Sequence, residues 1–498
     1  MRPFLVLAAT LGVAFQQLAA QQHAHPDAER LGVVHFPTSC APAVAPQFDR
    51  AMALLHSFEF GAAIRGFESV LASDSTCAMA WWGIALSRWT NPMSPSLRSA
   101  AVIERGLEAA QSAALLAPRA SGRERGYIAA VGELYRDAAR RNQRERVLAY
   151  ERAMAGLAER HPSDTEAAIF HAIAIVQAAS PTDKTYAENL RAGAILERLF
   201  AAHPDHPGLA HYIIHSYDVP ALAGRAADAA RRYADIAPSA AHALHMPSHT
   251  FTRVGLWEES VATNMRSYDA ALKTSCLAEA MHALDYAVYA NLQLRRDSAA
   301  RAILEKVPAI AARLDPNAVC GAAPGSAGFF AAAAIPARYA LERHAWAEAA
   351  ALEPRSSAFP FTDAVTWFAR ALGAARLGDT ASTRIARDSL GAMRARLTAA
   401  GEGYWAEQVA IQHIGAEAWL LFASNRRTEA LVRMREAADR EDHTEKPAVS
   451  PGPLAPAREL LADMLAAMGR SAEARAEYEA ALRREPGRYW SGVGARGP

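Results

Sequence analysis

The chain has 498 residues, too many for one compact core, so it must form several domains or an extended array. Its 53 basic and 52 acidic residues nearly cancel, and no basic stretch carries interleaved aromatic residues, so we expect no nucleic-acid partner. Hydrophobic residues make up 51% of the chain, and the many alanines among them are typical of closely packed helices.

The first twenty residues have the three parts of a signal peptide. Arg2 supplies a positive charge, residues 4–15 form a mostly apolar segment, and residues 18–20 form an acceptable cleavage site. The apolar run is shorter than the ~20 residues that a membrane-spanning helix needs, which disfavours the alternative of a membrane anchor. We therefore predict signal peptide 1–20, an irregular segment 21–46, and an exported protein, periplasmic or secreted, without a membrane span.

Four cysteines remain, and none forms the CxxC pair of a zinc finger: Cys40, Cys77, Cys276 and Cys320. In an oxidising compartment they are expected to pair. Of the three connectivities, we favour Cys40–Cys77 with Cys276–Cys320, because each bond closes a local loop. Four free, buried thiols are the alternative. In either case the cysteines have a structural role.

The C-terminal part carries the clearest internal repeat. From Leu461 the chain runs through a turn glycine at Gly469, a large residue at Tyr478 and a closing proline at Pro486. This order is that of a tetratricopeptide repeat (TPR), in which small residues let two helices approach and large ones fill the space between pairs. Similar units can be traced back to about Phe48. We predict an all-α fold, a TPR-type α-α superhelical solenoid of antiparallel helix pairs.

Two stretches rich in proline or glycine divide the predicted array, because neither composition favours a helix. The expected organisation is an N-terminal TPR array at 47–316, a loop or hinge at 317–328, degenerate helix pairs at 329–440, a proline-rich loop at 441–456 and a C-terminal TPR at 457–498.

Histidines cluster in the middle of the chain, where eight of the 17 lie between His203 and His282. Their spacing places them on single stripes of three successive helices. The stripes are His211, His215 and Asp218; His242, His245 and His249; and His282, Asp285 and Tyr289. Each helix is the first of its predicted pair, and first helices line the concave wall of such a solenoid. Because neighbouring helices pack ~8–10 Å apart, we expect these side chains to form one patch.

Imidazoles and carboxylates that converge suit Zn, Cu, Fe or Ni. The metal-ligand candidates are His211, His215, Asp218, His242, His245, His249, His282 and Asp285. Further candidates for a ligand groove are Arg253, Asn264, Tyr289, Arg338 and Glu342. Two alternatives stay open: a metal-free groove for a protein, a peptide or a small polar ligand, and purely structural roles. Arg338 and Glu342 are also spaced for an ion pair within one helix.

Several long segments resemble a family of exported bacterial TPR proteins. They include HPDHPGLAHYIIHSYD (203–218), HALHMPSHTFTRVGLW (242–257), HALDYAVYANLQ (282–293) and EDHTEK with PGPLAPARELL (441–461). The resemblance spans nearly the whole mature chain. It implies the TPR fold and export, and it implies that the histidine motifs are functional. It implies no reaction, because the family has no established activity. The chain departs from the family pattern at Arg295, usually a turn glycine, and at Ala410, usually acidic, which puts in doubt a carboxylate role near Trp405 and Gln408.

The sequence therefore predicts an extracytoplasmic binding or scaffold protein whose concave His/Asp cluster binds a transition metal or a polar ligand. One alternative is a metal-dependent enzyme, oxidative or hydrolytic, with His282 and Asp285 as candidate acid and base. Another is a metal-free adaptor that binds an extended peptide in the groove. No serine-hydrolase, P-loop or dinucleotide-binding motif is present, so no conventional catalytic residues are nominated.

Overall fold

A computed structural model describes residues 29–497. The predicted signal peptide, residues 1–20, lies outside these residues. Within 29–497 the chain forms helices and connecting segments without a β-strand, so the all-α prediction is confirmed.

The described chain contains 25 α-helices. They are α1 (Ala45–His56), α2 (Phe60–Ser73), α3 (Ala78–Arg88), α4 (Ala100–Leu116), α5 (Gly122–Glu133), α6 (Gln143–Arg160), α7 (Thr165–Ala178), α8 (Ala187–Ala202), α9 (Pro207–Ser216), α10 (Ala227–Ile236), α11 (Ala241–His245), α12 (Pro247–Val254), α13 (Trp257–Lys273), α14 (Leu277–Gln293), α15 (Asp297–Leu304), α16 (Val307–Ala311), α17 (Gly325–Leu341), α18 (Trp346–Ala351), α19 (Pro360–Arg376), α20 (Thr380–Ala399), α21 (Gly403–Ala423), α22 (Arg427–Asp442), α23 (Ala457–Ala467), α24 (Ser471–Arg484) and α25 (Tyr489–Arg496).

Successive helices pack in pairs, which gives a TPR-like solenoid. The turn inside many pairs has a left-handed residue just after the first helix. These residues are Phe58, Gly255, Arg295, His344, Gly378, Asn425 and Gly469. Arg295 has a φ of 58°. A residue with a Cβ is strained there, so the departure from glycine at this turn costs about 1 kcal/mol.

Prolines set several helix boundaries that spacing alone did not predict. The stripe through His249 is divided between α11 and α12, because Pro247 has no N–H to continue the backbone ladder. Helix α9 ends at Ser216, ahead of Pro220, so Asp218 lies beyond the helix and not on its stripe. Helix α17 begins at Gly325, directly after Pro324, so residues 325–328 are helical where the sequence analysis expected a loop.

The apolar core has two main parts. One spans α1 to α10 and includes Phe48, Trp82 and Tyr127. The other lies mainly in α17 to α24 and includes Phe368 and Trp419. Helices α11 to α14 stand between the two, and every residue of α14 from Ala278 to Gln293 is buried. The histidine-rich wall is thus an internal polar layer between two apolar cores.

Two connecting segments cover the inner face of the first helices. The central loop, residues 312–324, is fastened where Cys320 accepts a hydrogen bond from the Gly61 N–H at 2.8 Å. The proline loop, residues 443–456, lies on α14, where the Tyr286 hydroxyl is 3.1 Å from the Ala448 carbonyl oxygen. The histidine wall is therefore closed by the chain itself, whereas the sequence analysis expected an open concave groove.

Two disulfide bonds join Cys40 to Cys77 and Cys276 to Cys320, with Cα–Cα distances of 4.8 and 5.7 Å. The second bond ties the central loop to the start of α14. Each closes a stretch of a few tens of residues, which restricts the unfolded chain. In the described part of the chain, no helix has the length and apolar character to cross a bilayer.

Candidate metal centre

Six histidines from α9, α11, α12 and α14 form two groups. The first trio is His211, His215 and His242, and the second trio is His245, His249 and His282. Within each trio, one ring nitrogen of every histidine lies within 4.8 Å of the other two. All six residues are at most 5% exposed. The trios are neighbours, since the ring centres of His242 and His245 are 5.8 Å apart and those of His215 and His249 are 6.0 Å apart.

In the first trio, all three Nε2 atoms are buried without a hydrogen-bond partner. The Nδ1 of His211 donates to the backbone oxygen of His56 at 2.6 Å. The Nδ1 of His242 is 2.8 Å from a carboxylate oxygen of Glu279. Because these acceptors hold the ring protons on Nδ1, both Nε2 lone pairs are free to bind a cation. An oriented histidine of this kind is the usual arrangement at metal sites.

In the second trio, two Nε2 atoms face each other. The Nδ1 of His245 donates to Asn264 Oδ1 at 2.7 Å, and the Nδ1 of His249 donates to Asp218 Oδ2 at 2.8 Å. The amide of Asn264 is held in this orientation because its Nδ2 donates to the Ser260 carbonyl at 2.7 Å. The Nε2 atoms of His245 and His249 are 3.1 Å apart, each with a lone pair toward the other. Two such lone pairs repel unless a cation lies with them.

Five of the six imidazoles in the two trios have a lowered pKa and are neutral at neutral pH. Burial, together with the neighbouring imidazoles, lowers the pKa of His211, His215 and His245 well below the usual value. Burial lowers the pKa of His249 to about 4 and that of His282 to about 3, although Asp218 and Glu279 partly oppose it. Neutral imidazole is the form that binds a metal ion.

Asp218 has a supporting position beside the second trio. Besides His249, it binds Arg253 at 2.9 Å and Lys446 at 3.3 Å. Burial raises the pKa of Asp218, but the two cations outweigh it and hold that pKa well below the usual value. Burial lowers the pKa of Lys446 to about 8. The structure thus places the charged Asp218 on the outer nitrogen of His249, outside the two trios.

The three residues predicted to share a stripe on α14 contact different parts of the protein. His282 faces the second trio, whereas Asp285 binds Arg338 at 2.8 Å and Tyr289 donates to Glu485 at 2.9 Å. Helix α14 is buried on all sides and packs against both α13 and α17, so residues one turn apart reach different partners. Asp285 therefore lies outside both trios.

The five predicted groove residues are all buried and bonded within the chain. Arg253 and Asn264 orient Asp218 and His245, and Arg338 binds Asp285 and the proline loop. Glu342 lies 2.8 Å from Arg488. The anticipated pair between Arg338 and Glu342 is not among the ion pairs of residues 29–497, because each has a partner from a distant element.

Three polar residues that the sequence analysis missed complete the wall. Glu279 and Tyr286 lie three residues before and four after His282, so helical spacing alone could have found them. Lys446 lies far along the chain, and no local pattern connects it to Asp218. Tyr286 reaches the second trio, with its hydroxyl 3.4 Å from His249 Nε2.

Two cavities lie on either side of Lys446. One has a volume of about 80 Å³ and is lined by Phe361, Trp405, Gln408 and Glu441 among others. The other, of about 390 Å³, includes Val219, next to Asp218. Both cavities thus reach Lys446, which contacts Asp218, the partner of His249 Nδ1. The residues of each trio supply three ligands, which would leave a coordination position open, as reactive metal sites do.

No protein-family model and no curated protein matches the chain. Among solved structures, a human IFIT1 dimer with m7Gppp-AAAA has 12% identity and a TM-score of 0.35, covering 82% of this chain and 90% of IFIT1. Naa15/Naa10 bound to HypK-THB has 13% identity and a TM-score of 0.24, covering 90% of this chain and 59% of that one. These similarities are too low to bear on function. The absence of a nucleic-acid partner stays a prediction for this chain.

Proposed function

We propose that this protein is a helical-repeat scaffold that binds two transition-metal ions side by side, one in each histidine trio. The observation that carries the proposal is the convergence of six buried imidazoles, four of which (His211, His242, His245 and His249) are held by partners on Nδ1. Three Nε2 atoms, on His211, His215 and His242, have no hydrogen-bond partner. Leaving a buried polar atom unpaired costs about 1–3 kcal/mol, a cost that a bound ion removes.

The ligand set favours copper or zinc among the four metals considered. All six proposed ligands are imidazoles, whereas iron sites of the common non-haem type also use a carboxylate. Copper(II) has the highest intrinsic affinity for nitrogen ligands in the first transition row. Asp218 and Glu279 stand behind His249 and His242, where their charges offset part of the charge of the ions.

The closed wall supports ion binding more than peptide binding. An extended peptide would have to displace the proline loop, which is held by Arg338 through Ser450 Oγ at 2.9 Å and the Gly452 carbonyl at 2.9 Å. A metal ion or a small molecule needs only the cavities beside Lys446. An extracytoplasmic location is part of the proposal, and the two disulfide bonds support it, since such bonds persist outside the reducing cytoplasm.

The proposal predicts the metal content of variants. Copper or zinc loaded onto the metal-free protein and measured by elemental analysis should fill both trios, and His211→Ala/His245→Ala should lose both ions. His443→Ala is the matched control, because His443 is exposed and its ring bonds only to the Asp439 carbonyl of α22. If wild type takes up no ion at micromolar metal, or if the double variant binds as much as wild type, the two-ion centre does not exist.

A further inference from the structure

A separate group of possible ligands lies on the other side of α9. His56 at the end of α1, Glu166 on α7 and His206 at the start of α9 each offer one atom within 4.8 Å of the others. The Nε2 of His56 is 2.9 Å from Glu166 Oε2, and the Nε2 of His206 is 3.0 Å from Glu166 Oε1. The three residues are at most 6% exposed.

No lysine or arginine forms an ion pair with the carboxylate of this group in the described part of the chain. Within residues 29–497, the ion pairs of Glu166 are those with the two imidazoles. If both rings are neutral, each donates its Nε2 proton to Glu166, and the buried carboxylate keeps a full negative charge without a cation. Burying such a charge unpaired is expensive.

We infer that His56, Glu166 and His206 form a third, mononuclear site for a divalent cation, distinct from the two trios. Two imidazoles and one carboxylate are a ligand set that zinc takes, with a fourth position left open. On binding, each ring carries its proton on Nδ1, and that of His56 is 3.2 Å from the Tyr212 hydroxyl oxygen. The ion replaces the two Nε2 protons between the rings and the carboxylate.

The open position of this site faces a surface pocket. The pocket has a volume of about 650 Å³, and its lining includes Glu166 and His206 together with His161, His203 and Asp205. Imidazoles and carboxylates at its rim favour cations. We therefore expect this site to exchange its ion with solvent.

The position of α9 also depends on close packing at this site. A Cβ at Gly208 would lie 2.5 Å from His56 Nδ1, so only glycine lets the helix come this near. The backbone oxygen of His56 in turn accepts the proton of His211 Nδ1. The third site and the first trio thus share a rigid frame but no ligand.

Zn²⁺ titration of the metal-free full-length protein by equilibrium dialysis tests this inference independently of the two-ion centre. Wild type should bind three ions, Glu166→Gln two, and His211→Ala/His245→Ala the one ion that Glu166→Gln removes. His206→Gln should lose the same ion as Glu166→Gln, so the result does not depend on one variant alone. Circular dichroism checks that both variants are folded. Glu151→Gln, at the half-buried pair with His171, is the control and should bind three.

The outcomes separate the two proposals. If Glu166→Gln and His206→Gln both bind as many ions as wild type, the third site is refuted while the trios stand. If wild type binds a single ion that Glu166→Gln removes, the third site stands and the two-ion centre is refuted. If no ion binds, both are refuted.

Discussion

At the scale of single residues, the partner on the outer ring nitrogen decides what each histidine can do. The imidazoles of His211, His242, His245 and His249 are alike in burial, but their Nδ1 atoms meet a carbonyl, a carboxylate, an amide and another carboxylate. The sequence identified these histidines as candidate ligands. It could not separate Asp218 and Asp285 from them, because a carboxylate on a helix stripe gives the same pattern whether it binds an ion, a histidine or an arginine.

Glu279→Gln should weaken metal binding at the first trio by roughly tenfold to a hundredfold. The glutamine oxygen can still accept the His242 proton, so the loss comes from the charge that raises the basicity of the ring. Competition with a chromophoric chelator measures the affinity of each ion.

Asp285→Asn is the contrasting variant, because Asp285 pairs with Arg338 away from both trios. It should keep the full metal content of wild type. Loss of an ion in Asp285→Asn would show that Asp285 is a metal ligand. An unchanged metal affinity in Glu279→Gln would show that the charge of Glu279 does not contribute to binding.

At the scale of elements, the proline loop turns a solenoid wall into a closed interior. Its prolines predict that it is not a helix, but nothing local predicts where it lies. The loop starts after α22 and leads into α23, whose first N–H, at Ala457, donates to Glu441 at 2.8 Å. Burial in the cavity wall raises the pKa of Glu441 to about 7.

This pKa predicts a pH-dependent stability at Glu441. Below pH ~4.5 the Glu441 carboxyl is protonated in both the folded and the unfolded protein. As the pH rises toward 7, the carboxyl ionises more readily in the unfolded chain, so the free energy of unfolding falls. Glu441→Gln removes this loss and keeps the acceptor for Ala457. We expect a gain of about 3 kcal/mol at pH 8 and almost none at pH 4.5, measured by chemical denaturation. An equal effect at both pH values would contradict the prediction.

At the scale of the whole molecule, two apolar cores enclose the polar layer that carries the two trios. The Cys276–Cys320 bond holds the central loop against the start of α14. The buried Arg488 lies 2.8 Å from both Glu459 and Glu342, and so holds the C-terminal segment against the end of α17. An ion that binds only the folded state stabilises the entire closed assembly.

Removal of the metal should therefore lower the melting temperature of the wild-type protein. At a free ion concentration a hundredfold above Kd, one ion contributes about 2.7 kcal/mol. A chelator should shift calorimetric melting of wild type by several degrees and shift that of His211→Ala/His245→Ala less, because only the third-site ion is left to remove. A wild-type protein that melts at the same temperature with and without chelator would count against bound ions in the wall.

The sequence by itself determined the helix pairs, their turn positions and the stripes of histidine, because a helix repeats every 3.6 residues and fixes which neighbours share a face. Its prolines indicated a loop at residues 441–456, of which the structure keeps 443–456, because α22 extends to Asp442. Only the tertiary structure decided that this loop and residues 312–324 fold back over the wall. It also decided that six histidines divide into two trios, and that Glu166 joins His56 and His206. The loop contacts and the His56–Glu166 contact join residues more than a hundred positions apart, and the trios join different helices, so no local spacing records them.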